Sequence, residues 1–348
     1  MKDKQQSKNF WNELKKPFFV LAPMADVTDF AFRQMFVKYG KPDVLYTEFV
    51  SADGLANEEG RNVLLRDLRF DKNEHPIVAQ IFGANPENIK KAARLVAELG
   101  YDGVDINMGC PDKSIIKQGA GSGLIKNSKL AREIIQAAKE GAVFAGRRIP
   151  VSIKTRIGFN KNEIKTWIPQ VLAEKPDCLI IHGRTRKELS AVDADWEAIG
   201  KVAQMGREAG VVVIGNGDVK SIEDGLEKAE KFHVDGIMVG RGVFGKPWFF
   251  DKNRKEILLK DKLEIMLEHT KLFEKEMMGV RLVKSSINIQ GVAAPQFNGV
   301  KNFNILKKHY KAYVSGFDGA KELRVKLMEA KNADEIEKIT REYISENL

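Results

Sequence analysis

The chain has only two cysteines in 348 residues, Cys110 and Cys178, and they share no CxxC spacing. A disulfide framework is therefore excluded, and because His182 is the single extra ligand near Cys178, neither a zinc site nor another metal is expected. Long apolar runs are also lacking: none approaches the roughly 18 to 20 residues that a membrane span needs, so no membrane partner is expected. Met1 to Asn9 is polar and charged, without the apolar stretch of a secretory signal, which favours a cytoplasmic protein. Charge is not balanced. A net +9 favours a polyanionic partner, a property that well-solvated basic proteins share.

Across the first 250 residues, short β-branched and apolar runs alternate with longer amphipathic stretches, the pattern of βα units around a parallel sheet. Eight candidate strands stand out: Phe18 to Ala22, Val44 to Thr47, Ile77 to Phe82, Gly103 to Asn107, Val151 to Thr155, Cys178 to His182, Val211 to Gly215 and Gly236 to Gly240. Helix-like segments such as Pro86 to Leu99 and Ser128 to Phe144 lie between them. Polar residues gather at one end of these strands, with Gln80, Asn107, Lys154 and His182 near strand ends and Asn216 and Arg241 just after them. In a (β/α)8 TIM barrel all such ends converge on one mouth, whereas an open sheet would spread them along an edge. The expected fold class is thus α/β, a TIM barrel over 1–250. After Pro247-Trp248 the alternation stops, and 251–348 is expected to form a smaller helical domain.

The densest segment for chemistry runs from Asp105 to Pro111 and leads into the glycine-rich Gly119-Ala120-Gly121-Ser122-Gly123. It places Cys110 in a loop just beyond a strand. A thiol with a reference pKa of about 8.5 stays mostly protonated at neutral pH and can act as a general acid, and no adjacent histidine is there to deprotonate it. Lys154, directed into a concave mouth, requires an anionic partner such as a phosphate or an electron-rich ring edge. The last two strands run into Gly215-Asn216-Gly217-Asp218 and Gly240-Arg241-Gly242, where barrels of this type bind phosphate. Gln80 carries an amide suited to the imide edge of an isoalloxazine or a pyrimidine, and His182 is either a mouth ligand or a structural imidazole.

These segments resemble those of the tRNA-dihydrouridine synthases. The similarity runs from Leu21 to about Glu329 and takes in Leu21-Ala22-Pro23-Met24-Ala25-Asp26, Asp105 to Pro111, Val151 to Gly158, Ile181 to Arg186, Ala194-Asp195-Trp196, Gly245 to Trp248 and Gly319 to Arg324, in the family's order. The resemblance implies an enzyme that uses FMN, with NADPH as reductant, to reduce uridine to 5,6-dihydrouridine in tRNA. It makes Cys110 the proton donor to C5 of uracil and Asn107 a base-positioning neighbour, with Arg184 also on the substrate side. Pro23, Met24, Ala25, Gln80, Lys154 and His182 become flavin contacts, with Asn216, Gly217, Asp218, Gly240 and Arg241 around the ribityl phosphate. The sequence departs from the family's pattern at Asp26, where glycine is expected, and at Ser190 and Val192, where tyrosine and glycine are usual. Two rival readings share some of these features: an FMN-dependent dehydrogenase of a free dihydropyrimidine, and an RNA-binding barrel without turnover.

Between Lys301 and Glu329 the cations Lys301, Lys307, Lys308, Lys311, Lys321, Arg324 and Lys326 face only Asp318, Glu322 and Glu329. If Asn302 to Val314 is helical, Phe303, Leu306, Tyr310 and Val314 form its buried stripe. Lys307, Lys308 and Lys311 then gather on another face, as a phosphate-tracking surface for tRNA.

Overall fold

In a computed structural model of the chain, residues 9–253, 256–278 and 300–348 are described. Expectations for 1–8, 254–255 and 279–299 lie outside the described residues. Eight parallel strands form one sheet: β1 (Phe18–Leu21), β2 (Leu45–Ser51), β3 (Ile77–Phe82), β4 (Gly103–Met108), β5 (Val151–Arg156), β6 (Cys178–His182), β7 (Val212–Asn216) and β8 (Gly236–Val239). Neighbours in space are neighbours in sequence, and β8 pairs back onto β1. The ring closes between β1 and β2 through a parallel bridge, Val20 to Val44, in which Leu21 N–H donates to Val44 O at 3.1 Å. This is the expected TIM barrel.

The strands read as apolar runs because both of their faces are covered. One set of side chains fills the barrel interior, including Val20, Tyr46, Val78, Ile180, Ile214 and Met238. The alternate set, such as Leu45, Ile77, Ile106 and Ile153, packs against the surrounding helices. A short 3₁₀ turn, Phe10–Asn12, brings Trp11 beneath the interior, where it is fully buried with its ring 5.9 Å from that of Phe18. This plug fills the barrel at the N-terminal ends of the strands.

Most strand ends shift by a residue from the sequence expectations, and three differences bear on the site or the packing. The second strand extends to Ser51, past an irregularity between Tyr46 and Phe49. The seventh includes Asn216, so that residue belongs to the strand rather than to the loop after it. The helix begun at Ser128 ends at Gly141, because 143–144 pair with 147–148 across Ala145 and Gly146, both at positive φ, as a two-residue hairpin turn requires.

The C-terminal part is helical as expected: Leu259–Phe273, Lys307–Tyr313, Ala320–Glu329 and Ala333–Asn347. The stripe of Phe303, Leu306, Tyr310 and Val314 is buried, although 303–306 is 3₁₀ and the α-helix starts at Lys307. The same apolar cluster takes in Phe30, Ala31 and Met35 of the first barrel helix, Phe30–Tyr39. The two parts are also clasped at Gly245 (φ 66), where a Cβ would lie 2.6 Å from the carbonyl carbon of Ala312, so only glycine fits.

Candidate active site

Over the C-terminal ends of the strands opens a cavity of about 900 Å³. Its wall brings together Pro23 and Met24 after β1, Gln80, Asn107, Cys110 and Lys154 from the third to fifth strands, and His182 and Arg184 from the sixth. Asn216 at the end of β7, Gly217 and Asp218 after it, and Gly240 and Arg241 after β8 also line it. Ala25 is exposed and lies outside this wall. Lys308 and Lys311 are exposed and Lys307 half-buried. These three are outside the wall too, but Ala312 and Ser315, further along the same segment, line it.

Cys110 is positioned by a chain of side-chain hydrogen bonds beneath it. Ser152 Oγ donates to Asp105 Oδ1 at 2.6 Å, Gln80 Nε2 donates to Asp105 Oδ2 at 2.7 Å, and Asn107 Nδ2 donates to Gln80 Oε1 at 2.9 Å. The remaining oxygen of Asn107 accepts the backbone N–H groups of Gly109 (3.1 Å) and Cys110 (2.8 Å). Because Gln80 is fully buried and both ends of its amide are engaged, its amide plane is fixed from below. Burial raises Asp105 to about 7, against the hydrogen bonds from Ser152 and Gln80 and the charge of Lys154.

The thiol itself is partly exposed to the cavity. Burial pushes its pKa up, and the Asp112 carboxylate adds to this, outweighing the Asp112 backbone contact and the charges of Arg156 and Lys154. It is therefore a proton-bearing thiol at neutral pH. Close packing holds its loop, since a Cβ on Gly121 (φ 57) would come within 3.0 Å of Cys110 O.

Cations dominate the rest of the mouth. Burial lowers Lys154 to about 8, Arg156 adds to this, and Asp105 and Cys110 oppose it. His182 is held well below its usual range, first by burial and then by Lys154, Arg156, Arg184 and Arg241. It is neutral, and because Arg184 Nη1 donates to its Nε2 at 3.2 Å, the ring proton sits on Nδ1. Arg184 is itself buried, donating to Val192 O at 2.6 Å and pairing with Asp218. Asp218 accepts from Ala194 N–H at 2.8 Å and from Arg241 at 3.3 Å. Burial alone would raise Asp218, but these donors hold it below its usual value. Arg184 thus braces the mouth loops rather than presenting a free fork.

The sequence reading missed Arg156, which lines the same cavity. Its Nε donates to Gly109 O at 2.7 Å and its Nη1 to Thr185 O at 3.2 Å, tying the cysteine loop to the loop after β6. Strand alternation was the available signal, because 152, 154 and 156 share one face. Also missed were Lys220, Lys246 and Lys262, which extend the cavity wall toward the helical part. Asp26 departs from glycine yet sits at φ 55, the left-handed region where aspartate is among the tolerated residues. No group of three or more potential metal-binding side chains occurs among the described residues.

A family model for dihydrouridine synthase matches residues 20–348. A probable tRNA-dihydrouridine synthase of Staphylococcus aureus (strain Mu50) is 38% identical over 96% of this chain and 95% of its own length. Probable tRNA-dihydrouridine synthase 2 of Bacillus subtilis (strain 168) is 39% identical over 95% of both chains. Among solved structures, a variant of NCR from Zymomonas mobilis aligns at 15% identity with a TM-score of 0.47, over 72% of this chain and 93% of that one. That likeness is too distant to add to what strand pairing already establishes. With a family match over nearly its whole length and relatives that share more than a third of its residues end to end, the chain belongs to the dihydrouridine synthase family.

Proposed function

We propose that this protein reduces uridine to 5,6-dihydrouridine in tRNA, with FMN held in the barrel mouth and NADPH as the reductant. The observation that carries the reading is a proton-bearing thiol sharing one cavity with a half-buried ammonium, Lys154, that has no hydrogen bond or ion pair among the described residues. The names of the relatives support tRNA as the substrate.

The residues present fit a phosphate-bearing, electron-rich cofactor. Lys154 makes no direct ion pair among the described residues, and such a group would supply one. Gly217 (φ 133) has no room for a Cβ, which would lie 2.6 Å from that of Ala194, and this keeps the backbone after β7 bare. Arg241 is anchored at one end by Asp218 while its side chain is 62% exposed, leaving donors free for phosphate. Gln80, Lys154 and His182 would hold the ring, and Asn216, Gly217, Asp218, Gly240 and Arg241 the phosphate end. When bound there, FMN supplies the hydride delivered to C6 of uracil.

The chain's own residues do the rest. The base must leave its stack to reach the barrel mouth, and the cationic rim favours the approach of the RNA backbone. Cys110 Sγ–H transfers its proton to C5, and the thiolate left behind is stabilised by Arg156 and Lys154, the same charges that already pull its pKa down. Asn107 fixes the loop so that the thiol faces the cavity. Mass analysis of tRNA from a strain lacking this protein tests the proposal: loss of dihydrouridine at defined positions supports it, and an unchanged dihydrouridine map removes it.

A further inference from the structure

One cation counted with the RNA-facing set is not at the surface. Lys301 is 4% exposed, and its Nζ lies 2.5 Å from Glu48 Oε2 and 3.5 Å from Asp67 Oδ1. It comes from the helical part of the chain, where its own N–H donates to Met277 O at 2.8 Å. Next to Met277, Glu276 pairs with Arg69 of the barrel part at 2.8 Å, so the same junction is pinned twice.

Glu48 has a second partner. Its Oε1 accepts the backbone N–H of Asp26 at 2.6 Å. Asp26 is the left-handed residue of the loop after β1, and Pro23 and Met24 of that loop form part of the cavity wall. Met24 reaches the far side, its Sδ 3.8 Å from where a Cβ on Gly240 would stand. A single carboxylate therefore joins a lysine of the helical part to the loop that walls the cofactor site.

We propose that Lys301 is a positioning residue for the cofactor: by neutralising Glu48 it keeps that carboxylate under the Asp26 N–H and so sets the backbone of loop 23–26. The inference rests on the flavin reading given above. Three acidic groups, Glu48, Asp67 and Asp29, surround this one ammonium, and together they hold Lys301 charged despite its burial. Without Lys301, Glu48 would be a buried carboxylate beside two others, and it would either take up a proton or turn toward water. In both cases the Asp26 N–H loses its charged acceptor, and the loop loses the tie that holds it to β2.

The test is FMN titration of the apo-protein by flavin fluorescence quenching, with the urea unfolding midpoint measured on the same samples. K301M should bind FMN about tenfold more weakly, in the range for losing one hydrogen bond to a charged group, and K301R should bind like the parent. Two neutralised pairs separate positioning from general stability. E48Q/K301M keeps an oxygen for the Asp26 N–H and should return to within about threefold of the parent, whereas E48L/K301M lacks it and should stay weak even where its unfolding midpoint is recovered. Equal FMN affinity in these two double variants, or parent-like affinity in K301M with only a lowered midpoint, overturns the proposal. A parent protein that binds no FMN removes the flavin reading itself, and the role of Lys301 with it.

Discussion

Two buried histidines in the helical part predict how the protein responds to acid. His269 and His309 are 2% and 1% exposed, with ring centroids 5.0 Å apart, and His309 also packs against Phe32 and Phe244 of the barrel part. His269 Nε2 and His309 Nδ1 have no hydrogen-bond partner among the described residues. Burial lowers His269 to about 3, and burial, His269 and Lys308 hold His309 well below its usual value. A histidine whose folded pKa is depressed contributes stability that is complete above its unfolded pKa of about 6.5 and is lost as pH falls toward the folded value. At pH 5.0 the loss is roughly 1.5 pH units at 1.36 kcal/mol each, about 2 kcal/mol for His269, and His309 adds to it in the same direction. Buried carboxyls such as Glu48 and Asp105 are raised and act in the opposite sense, but they are common to both proteins being compared. Urea unfolding of the parent and of His269→Leu/His309→Leu at pH 7.5 and 5.0, followed by far-ultraviolet circular dichroism, should show the double variant gaining at least about 2 kcal/mol on the parent over that interval. A difference that does not change with pH would refute the reasoning.

Further outcomes follow from the mouth and the helical part. Gly217→Ala forces a Cβ against that of Ala194 at a φ unfavourable to alanine, so the purified variant should lose most of its FMN while keeping its far-ultraviolet spectrum. Full flavin content would count against the assigned phosphate end. Replacing Lys307, Lys308 and Lys311 by alanine should weaken tRNA binding and reduce the salt slope by up to about three, with FMN content unchanged. An unaltered slope would place the RNA elsewhere, with Lys220, Lys246 and Lys262 as the next cations to test.

Much of the barrel is legible in the sequence because parallel strands covered on both faces leave continuous apolar runs, and polar residues at their ends stand out against them. Gln80, Asn107, Lys154 and His182 are found by this contrast, and all four line the cavity. What the sequence conceals are partnerships across distance. Asp105 lies within the densest segment, yet its role beneath Gln80 depends on a pairing between strands 25 residues apart. Lys301 resembles its basic neighbours until the fold brings Glu48 to it from 253 residues away. Trp11 closes the barrel floor from a short turn that carries no periodic signal.

The central claim is that Cys110 protonates the base and does not hold the cofactor. Single-turnover reduction of unmodified tRNA by Cys110→Ala, measured beside its flavin content and the reduction of its flavin by NADPH, tests this directly. The expected result is parent-like FMN content and flavin reduction, with dihydrouridine formation slowed by about a hundredfold or more, the range for removing a general acid. A variant that forms dihydrouridine at the parent rate, or one that is folded but has lost its flavin, would contradict it.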